Sequence, residues 1–297
     1  MPLRVIKMHG IGNDYIYVDG FETRLDDPAG LARRISDRHF GVGGDGLVLI
    51  QPPREPANDG RMVMYNADGS RAQMCGNAIR CVGKFLHDRG IAPREMLRIE
   101  TDAGVKTLFV ERGSDGKAES LRVDMGPPRL ARSELPMADG GPDDECAVNV
   151  ALELDGRRVG ITGVSMGNPH AVIRFDEIES LDGSPIPSFA DVPLWQWGPS
   201  FENHEWFPER VNTELVVPLS RSEMDFRVWE RGSGETLACG TGACAAVVAA
   251  VLNDWCDREV LVHLRGGDLR IRWDGDEETG SVWMTGGATE VFTAELE

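Results

Sequence analysis

Residues 65–77 read YNADGSRAQMCGN, and residues 229–241 read WERGSGETLACGT. In each segment an aromatic residue ends a predicted strand ten positions before a cysteine. The cysteine is followed by glycine and then by a stretch with helical periodicity. Self-similarity of this kind indicates two related halves in one chain.

A second pair of segments supports the same repeat. Residues 8–13, MHGIGN, and residues 165–170, SMGNPH, each follow a predicted strand. Most other residues form short β-branched runs broken by Gly, Pro and Asp, which are typical of strands and turns. Helical periodicity predicts three helices, at 31–39, 77–90 and 241–255. We therefore expect an α/β (α+β) fold with two pseudo-symmetric domains.

The expected boundary lies in the GPPRL turn at 126–130. Residues 1–126 would form the N-terminal half and 127–284 the C-terminal half, with a last strand at 285–297 returning to the first half. Residues 182–208 contain five prolines and no clear period, so we expect a long loop with a helical piece near its end. This segment is interpreted as an insertion with a structural use only.

Composition excludes several classes of partner. The chain has 297 residues and a net charge of −18, which disfavours nucleic acid and anionic lipid. It contains no apolar run of membrane-spanning length and no N-terminal signal core, so we expect a cytoplasmic protein. Its six cysteines form no CxxC pair, which argues against a disulfide scaffold or a structural zinc site. None of its four lysines lies in a context typical of a pyridoxal Schiff base.

Cys75-Gly76 and Cys239-Gly240 both stand at a predicted helix start. Free N–H groups and the helix dipole there favour negative charge, so we expect each thiol pKa to fall toward neutrality. The adjacent glycine allows a ligand carboxylate to approach the backbone. If the repeat closes on itself, the two sulfurs face each other, and one thiolate could remove a proton from a carbon while the other thiol protonates its opposite face.

Six segments together resemble the diaminopimelate epimerase family, in that family's order and over essentially the whole chain: HGIGNDY, FGVGGDGL, YNADGSRAQMCGNAIRC, VSMGNPHAV, FPERVN and ERGSGETLACGTGACAA. The resemblance implies two domains, each a strand-wrapped barrel around a central helix. It also implies a homodimer that converts LL- to meso-diaminopimelate, in lysine and peptidoglycan precursor biosynthesis, without a metal or another cofactor.

By this resemblance Cys75 and Cys239 are the paired acid and base, and His170 and Glu230 poise the sulfurs. The positions that match substrate-binding residues of the family are Asn13, Asn66, Gly76, Asn77, Asn168, Asn212, Glu230, Arg231, Gly240 and Thr241. A planar guanidinium suits the carboxylate of the amino-acid head that does not react, which favours Arg231 for that contact.

Two positions depart from some family members. Gly46 stands where these carry a substrate-contacting glutamine, and Phe292 stands where these carry a tyrosine at the dimer interface. Three alternatives stay open at this stage: a proline- or histidine-type racemase, a non-catalytic amino-acid-binding protein and a thiol redox protein. Proline has no distal head for the ERG and FPERVN segments, a binding protein would tolerate loss of a cysteine, and a redox protein would need a resolving thiol nearby.

Overall fold

The computed structural model describes residues 2–275 and 280–297. Contacts within the chain divide it into two compact units, Met1–Asp124 with Thr285–Glu297, and Met125–Met284. The chain leaves the first unit along one strand, Ala118–Gly126, and returns to it along another, Val282–Gly287.

The first unit is built mainly of strands. They are β1 (Leu3–Gly10), β2 (Asn13–Asp19), β3 (Gly46–Gln51), β4 (Gly60–Asn66), β5 (Arg71–Ala72), β6 (Met96–Thr101), β7 (Gly104–Arg112) and β8 (Ala118–Gly126), with β19 (Thr289–Leu296) at the C-terminus. Its helices are α1 (Pro28–Ile35) and α2 (Gly76–Asp88).

The second unit is also built mainly of strands, with two α-helices. Its strands are β9 (Val150–Leu154), β10 (Arg157–Ser165), β11 (Pro169–Arg174), β12 (Glu179–Ser180), β13 (Asn212–Ser220), β14 (Glu223–Glu230), β15 (Gly234–Glu235), β16 (Glu259–Leu264), β17 (Gly267–Trp273) and β18 (Val282–Gly287). Its helices are α3 (Leu194–Glu202) and α4 (Gly240–Leu252), with short 3-10 turns at Arg132–Glu134, Phe175–Glu177 and Phe189–Asp191.

Strand pairing repeats between the units in the same order. In the first unit, β1 pairs antiparallel with β2, β2 parallel with β3, β3 antiparallel with β4, β4 parallel with β6, and β6 antiparallel with β7. The equivalent sequence in the second unit is β10, β11, β13, β14, β16 and β17, with the same alternation of directions. This topology confirms the prediction of two similar mixed α/β halves.

Each unit wraps its strands around one central helix. α2 contacts β1, β2, β4, β6 and β7, and α4 contacts β10, β11, β13, β16 and β17. Ten of the thirteen residues of α4 are buried, which is why its sequence, GTGACAAVVAAVL, has no polar face. α2 is also largely buried, and it includes the fully buried Arg80, whose Nη1 donates to the carbonyl of Gly76.

A second, outer helix packs on each unit. α1 contacts β3 and β4, and α3 contacts the equivalent strands β13 and β14. α1 begins at Pro28 after an Asp27 cap that accepts from the N–H of Gly30 at 2.8 Å, and it ends before the predicted residues 36–39, which form turns. α3 lies within 182–208, so part of that segment is the counterpart of α1 and not an addition to the repeat. None of the described helices is long and apolar enough to cross a membrane.

Candidate active site

The two candidate catalytic cysteines occupy equivalent backbone positions. Cys75 (φ −139°, ψ 123°) and Cys239 (φ −122°, ψ 107°) are the extended N-cap residues of the 13-residue helices α2 and α4. Their carbonyls accept the first helical hydrogen bonds, from the N–H of Ile79 and of Ala243, each at 3.0 Å. The predicted placement of both cysteines at helix starts is confirmed.

In the first unit, the thiol of Cys75 contacts the side-chain amide of Asn13. It donates to Oδ1 of Asn13 at 3.4 Å, and Nδ2 of Asn13 donates to Oδ2 of Asp45 at 2.7 Å. Burial, followed by the neighbouring charge of Asp14, raises the pKa of Asp45. The structure therefore brings Cys75 and Asn13 together. Because Asp45 binds the NH2 group of the Asn13 amide, the amide oxygen is the atom that faces the sulfur.

Three further predicted residues of this unit lie near the same helix start or the preceding turn. Gly76 and Asn77 form the buried first turn of α2. The end of β1 packs closely on that turn, since a Cβ at Gly10 would lie 2.8 Å from the carbonyl oxygen of Asn77. Asn66 ends β4, and its Nδ2 donates to Oγ of Ser70 at 2.9 Å, so this side chain holds the turn before Cys75.

Cys239 lies in a more enclosed environment. It is 5% exposed, it accepts from the N–H of Gly242 at 3.4 Å, and its sulfur lies 3.5 Å from Oγ1 of Thr241. Burial, followed by the charges of Glu230 and Glu214, raises the pKa of this thiol well above its ordinary value. The expectation of a lowered pKa is wrong for Cys239, because desolvation and two carboxylates outweigh the helix N-terminus. Gly240, the first residue of α4, is buried beside it.

Glu230, at the end of β14, is the carboxylate that contacts this sulfur. It accepts from the hydroxyl of Thr236 and forms a hydrogen bond with the thiol of Cys239. Burial raises the pKa of Glu230, although both hydrogen bonds oppose the shift. The structure therefore brings Glu230 and Cys239 together, and the role of Glu230 in poising this sulfur stays a prediction.

His170 is fully buried and held from both ring nitrogens. Nδ1 lies 2.6 Å from Oε1 of Glu214, and Nε2 lies 3.1 Å from Oδ1 of Asn168. Burial raises the pKa of Glu214, and the charge of His170 opposes that rise. Asn168 thus contacts the candidate histidine directly.

Two loops that carry predicted binding residues are joined by Asn212. Its Nδ2 donates to the carbonyl of Pro169 at 2.8 Å, and its Oδ1 accepts from the backbone N–H of Arg231 at 2.9 Å. Nη1 of Arg231 donates to the carbonyl of Glu209 at 2.8 Å. Within the described part of the chain, Nε and Nη2 of Arg231 have no protein partner and remain available for a ligand.

Three acidic or hydroxyl side chains of these networks were missed at the level of sequence: Asp45, Glu214 and Thr236. Glu214 carried the clearest signal, since it is an acidic residue inside the apolar strand TELVV. Its second oxygen, Oε2, is buried without a hydrogen-bond partner among the described residues. In residues 2–275 and 280–297, no cluster of three or more His, Cys, Asp or Glu could hold a metal ion.

Comparison with known proteins gives full-length matches. The family model of diaminopimelate epimerase matches residues 5–131 and 162–291. The diaminopimelate epimerase of Agathobacter rectalis is 48% identical over 301 residues, covering 99% of both chains. That of Desulfovibrio desulfuricans is 49% identical over 300 residues, covering 99% of this chain and 98% of its own.

Solved structures of more distant proteins share the fold. A hydroxyproline epimerase from Agrobacterium vitis superposes with a TM-score of 0.69 at 13% identity, covering 99% of this chain and 91% of its own. A phenazine biosynthesis protein of the PhzF family from Bacillus anthracis gives 0.68 at 16% identity, covering 100% and 99%. At such identities the likeness concerns the fold alone.

Proposed function

This chain belongs to the diaminopimelate epimerase family, and on that premise we propose that it interconverts LL- and meso-2,6-diaminopimelate with Cys75 and Cys239 as its two acid–base groups. The observation that carries the assignment of residues is the equivalent position of the two thiols, each capping the central helix of one unit. From the same family membership we propose that the reaction supplies lysine and peptidoglycan precursors and that the protein acts in the cytoplasm.

The proposed chemistry is inversion at one carbon by two bases. One thiolate removes the α-proton, and the other thiol gives a proton to the opposite face. Burial and the carboxylates of Glu230 and Glu214 favour the protonated form of Cys239. In that state Cys239 is the acid and Cys75 the base, and the roles exchange for the reverse reaction. The first-turn N–H groups of the helices suit a substrate carboxylate, whose negative charge grows as the carbanion forms.

The experiment that tests this function follows pure LL-diaminopimelate in heavy water. With two separate bases, early meso product carries deuterium at the inverted carbon, while unreacted substrate stays largely protiated. Replacing Cys75 or Cys239 by alanine should lower the rate by about 10²–10⁴-fold, because each variant lacks the acid or the base.

Cys146→Ala is the matched control, since Cys146 is an exposed cysteine outside the site, and it should keep the full rate. Mass spectrometry of the separated stereoisomers at low conversion gives the result. Near-normal turnover by either candidate cysteine variant would exclude the two-base assignment, as would product that retains the original hydrogen.

Recognition of the distal head separates diaminopimelate from a small amino acid such as proline. We assign the distal carboxylate to the free Nε and Nη2 of Arg231. Arg231→Ala should weaken diaminopimelate binding by roughly 2–5 kcal/mol, the usual effect of removing a charged partner. Two quantities are measured for the wild type and for Arg231→Ala: KM for diaminopimelate, and the rate of α-hydrogen exchange of a monoamino acid that lacks the second head. Equal losses for the two substrates would remove Arg231 from this role and favour the proline-type alternative.

We also propose that the protein is a homodimer, as the family resemblance implies. A largely apolar groove of about 570 Å³ in the first unit, bordered by Leu3, Leu31, Phe40 and Leu296 and also by the charged Arg34 and Glu297, offers a surface for a second copy. The side chain of Phe40 is 94% exposed there, and Phe292 of β19 is also exposed. Large exposed aromatic side chains of this kind are typical of contact surfaces.

A further inference from the structure

The carboxylate of Glu202 joins three separate parts of the second unit. Glu202 is the last residue of α3, and it is 6% exposed. Its Oε2 accepts from Nε1 of Trp229 at 2.7 Å. Its Oε1 accepts from the backbone N–H of Gly232 at 3.0 Å and from Nη1 of Arg210 at 2.9 Å.

These donors flank the residues of the proposed substrate site. Trp229 and Gly232 enclose Glu230 and Arg231, and Arg210 lies in the loop just before Asn212. Gly232 has a φ of 78°, which glycine adopts without strain, whereas Arg210 has a φ of 60°, a left-handed conformation that a non-glycine residue keeps only with support from its surroundings.

α3 itself is firmly packed against this part of the unit. A Cβ on Gly198 would lie 2.2 Å from Cδ2 of Trp229, so only glycine lets the helix approach the indole this closely. Leu194, Trp197 and Phe201 of α3 belong to the hydrophobic core of the unit. The carboxylate at the end of α3 is therefore held on a rigid element.

We propose that Glu202 is a positioning residue of the substrate site, which holds the 229–232 turn and the 207–212 loop together so that Arg231 and Asn212 keep their orientation. This gives the 182–208 segment a part in recognition beyond a structural one. The proposal rests on the proposed function, because the distal head of the substrate is what Arg231 would contact.

Glu202→Gln tests the proposal with almost no change of shape. A carboxylate offers acceptor oxygens to all three donors, whereas a glutamine has one oxygen and one NH2 group. In either orientation its NH2 group faces the Trp229 N–H or the pair of Gly232 and Arg210. A buried donor then loses its acceptor and the turn loosens. We expect KM for diaminopimelate to rise at least about tenfold while kcat falls less than about threefold, the pattern of lost substrate binding.

A readout independent of turnover is hydrogen–deuterium exchange of the peptide that spans the 229–236 segment. Its amides should exchange faster in Glu202→Gln than in the wild type. Glu153→Gln is the matched control, because Glu153 is an exposed partner of Arg158 on the same unit and its change should alter neither measurement. Trp229→Phe removes one of the three donors, together with part of the indole that packs on α3, and should also raise KM, which keeps the proposal testable if Glu202→Gln folds poorly.

The possible results separate this proposal from the proposed function. Unchanged KM and unchanged exchange in Glu202→Gln would overturn the positioning role, as would a loss of thermal stability with KM intact. If the wild type does not epimerise diaminopimelate, the proposed function fails. The exchange comparison still decides whether Glu202 holds the turn.

Discussion

Cys75 and Cys239 share a backbone position but differ in what surrounds the sulfur. Cys75 is partly exposed and meets a neutral amide, Asn13. Cys239 is buried and meets the carboxylate of Glu230, with Glu214 close behind. The helix N-terminus favours a thiolate in both places. At Cys239, burial and the two carboxylates act against it more strongly.

This difference predicts unequal alkylation by iodoacetamide. At about pH 7.5 Cys75 should react faster than Cys239, because the thiolate is the nucleophile. The thiol of Cys239 is buried away from the reagent, and its raised pKa keeps it protonated. Because the pKa of Cys239 is raised, its labelling should still accelerate with pH in the range where the labelling of an ordinary thiol has levelled off. Peptide mapping with the exposed Cys146 as reference measures both rates. Equal labelling of the two sites at the lower pH would contradict the prediction.

At the scale of elements, the first turn of α4 is a crowded part of the second unit's site. A Cβ on Gly242 would lie 2.7 Å from Oε1 of Glu214 and 3.2 Å from both the Cys239 sulfur and Cζ of Phe226. The Glu214 oxygen cannot move away freely, because it is bonded to the buried His170. Helix, strand and thiol therefore share one tightly filled space.

Gly242→Ala should accordingly destabilise the fold and disturb the site. The added methyl group is expected to cost about 1–3 kcal/mol in the free energy of unfolding, as overpacking of a filled core does. Epimerase activity should fall further than stability alone explains, since Cys239 and Glu214 must shift. Gly287→Ala is the control, because among the described residues its Cβ would come near a single atom, the carbonyl oxygen of Glu119 at 3.8 Å. Denaturant unfolding and epimerase activity are measured for both variants. Similar effects of the two changes would show that crowding at Gly242 is not the cause.

At the scale of the whole molecule, the net charge of −18 opposes association of two copies. Any dimer must then draw its stability from apolar burial, for which the groove around Phe40 is suited. Added salt screens the repulsion between like charges and should strengthen association.

We therefore expect a dimer in sedimentation velocity experiments, with its dissociation constant falling as salt is added. Phe40→Asp should shift the protein to monomer, because it places a charge in the apolar groove. Trp195→Asp is a comparable change at an exposed aromatic residue of the second unit, 67% exposed, and should leave the dimer intact. A wild-type monomer, or equal behaviour of the two variants, would refute the proposed contact.

The repeat, the strand-rich halves and the two cysteines at helix starts were predictable from the sequence. They depend on local features: residue spacing, the glycine after each cysteine and the apolar run of 241–252. The chemical class followed from the resemblance carried by the same segments. The individual roles of the binding residues stay predictions.

Only the tertiary structure showed the contacts between residues distant in the chain. His170 meets Glu214 44 positions later, Asn13 meets Asp45, and Glu202 meets Gly232. It also showed that α3 is the counterpart of α1 and that the pKa of Cys239 is raised. A sequence pattern reflects the preferences of neighbouring residues. The partner of a buried charge, and the water it loses, depend on which strands and helices pack around it.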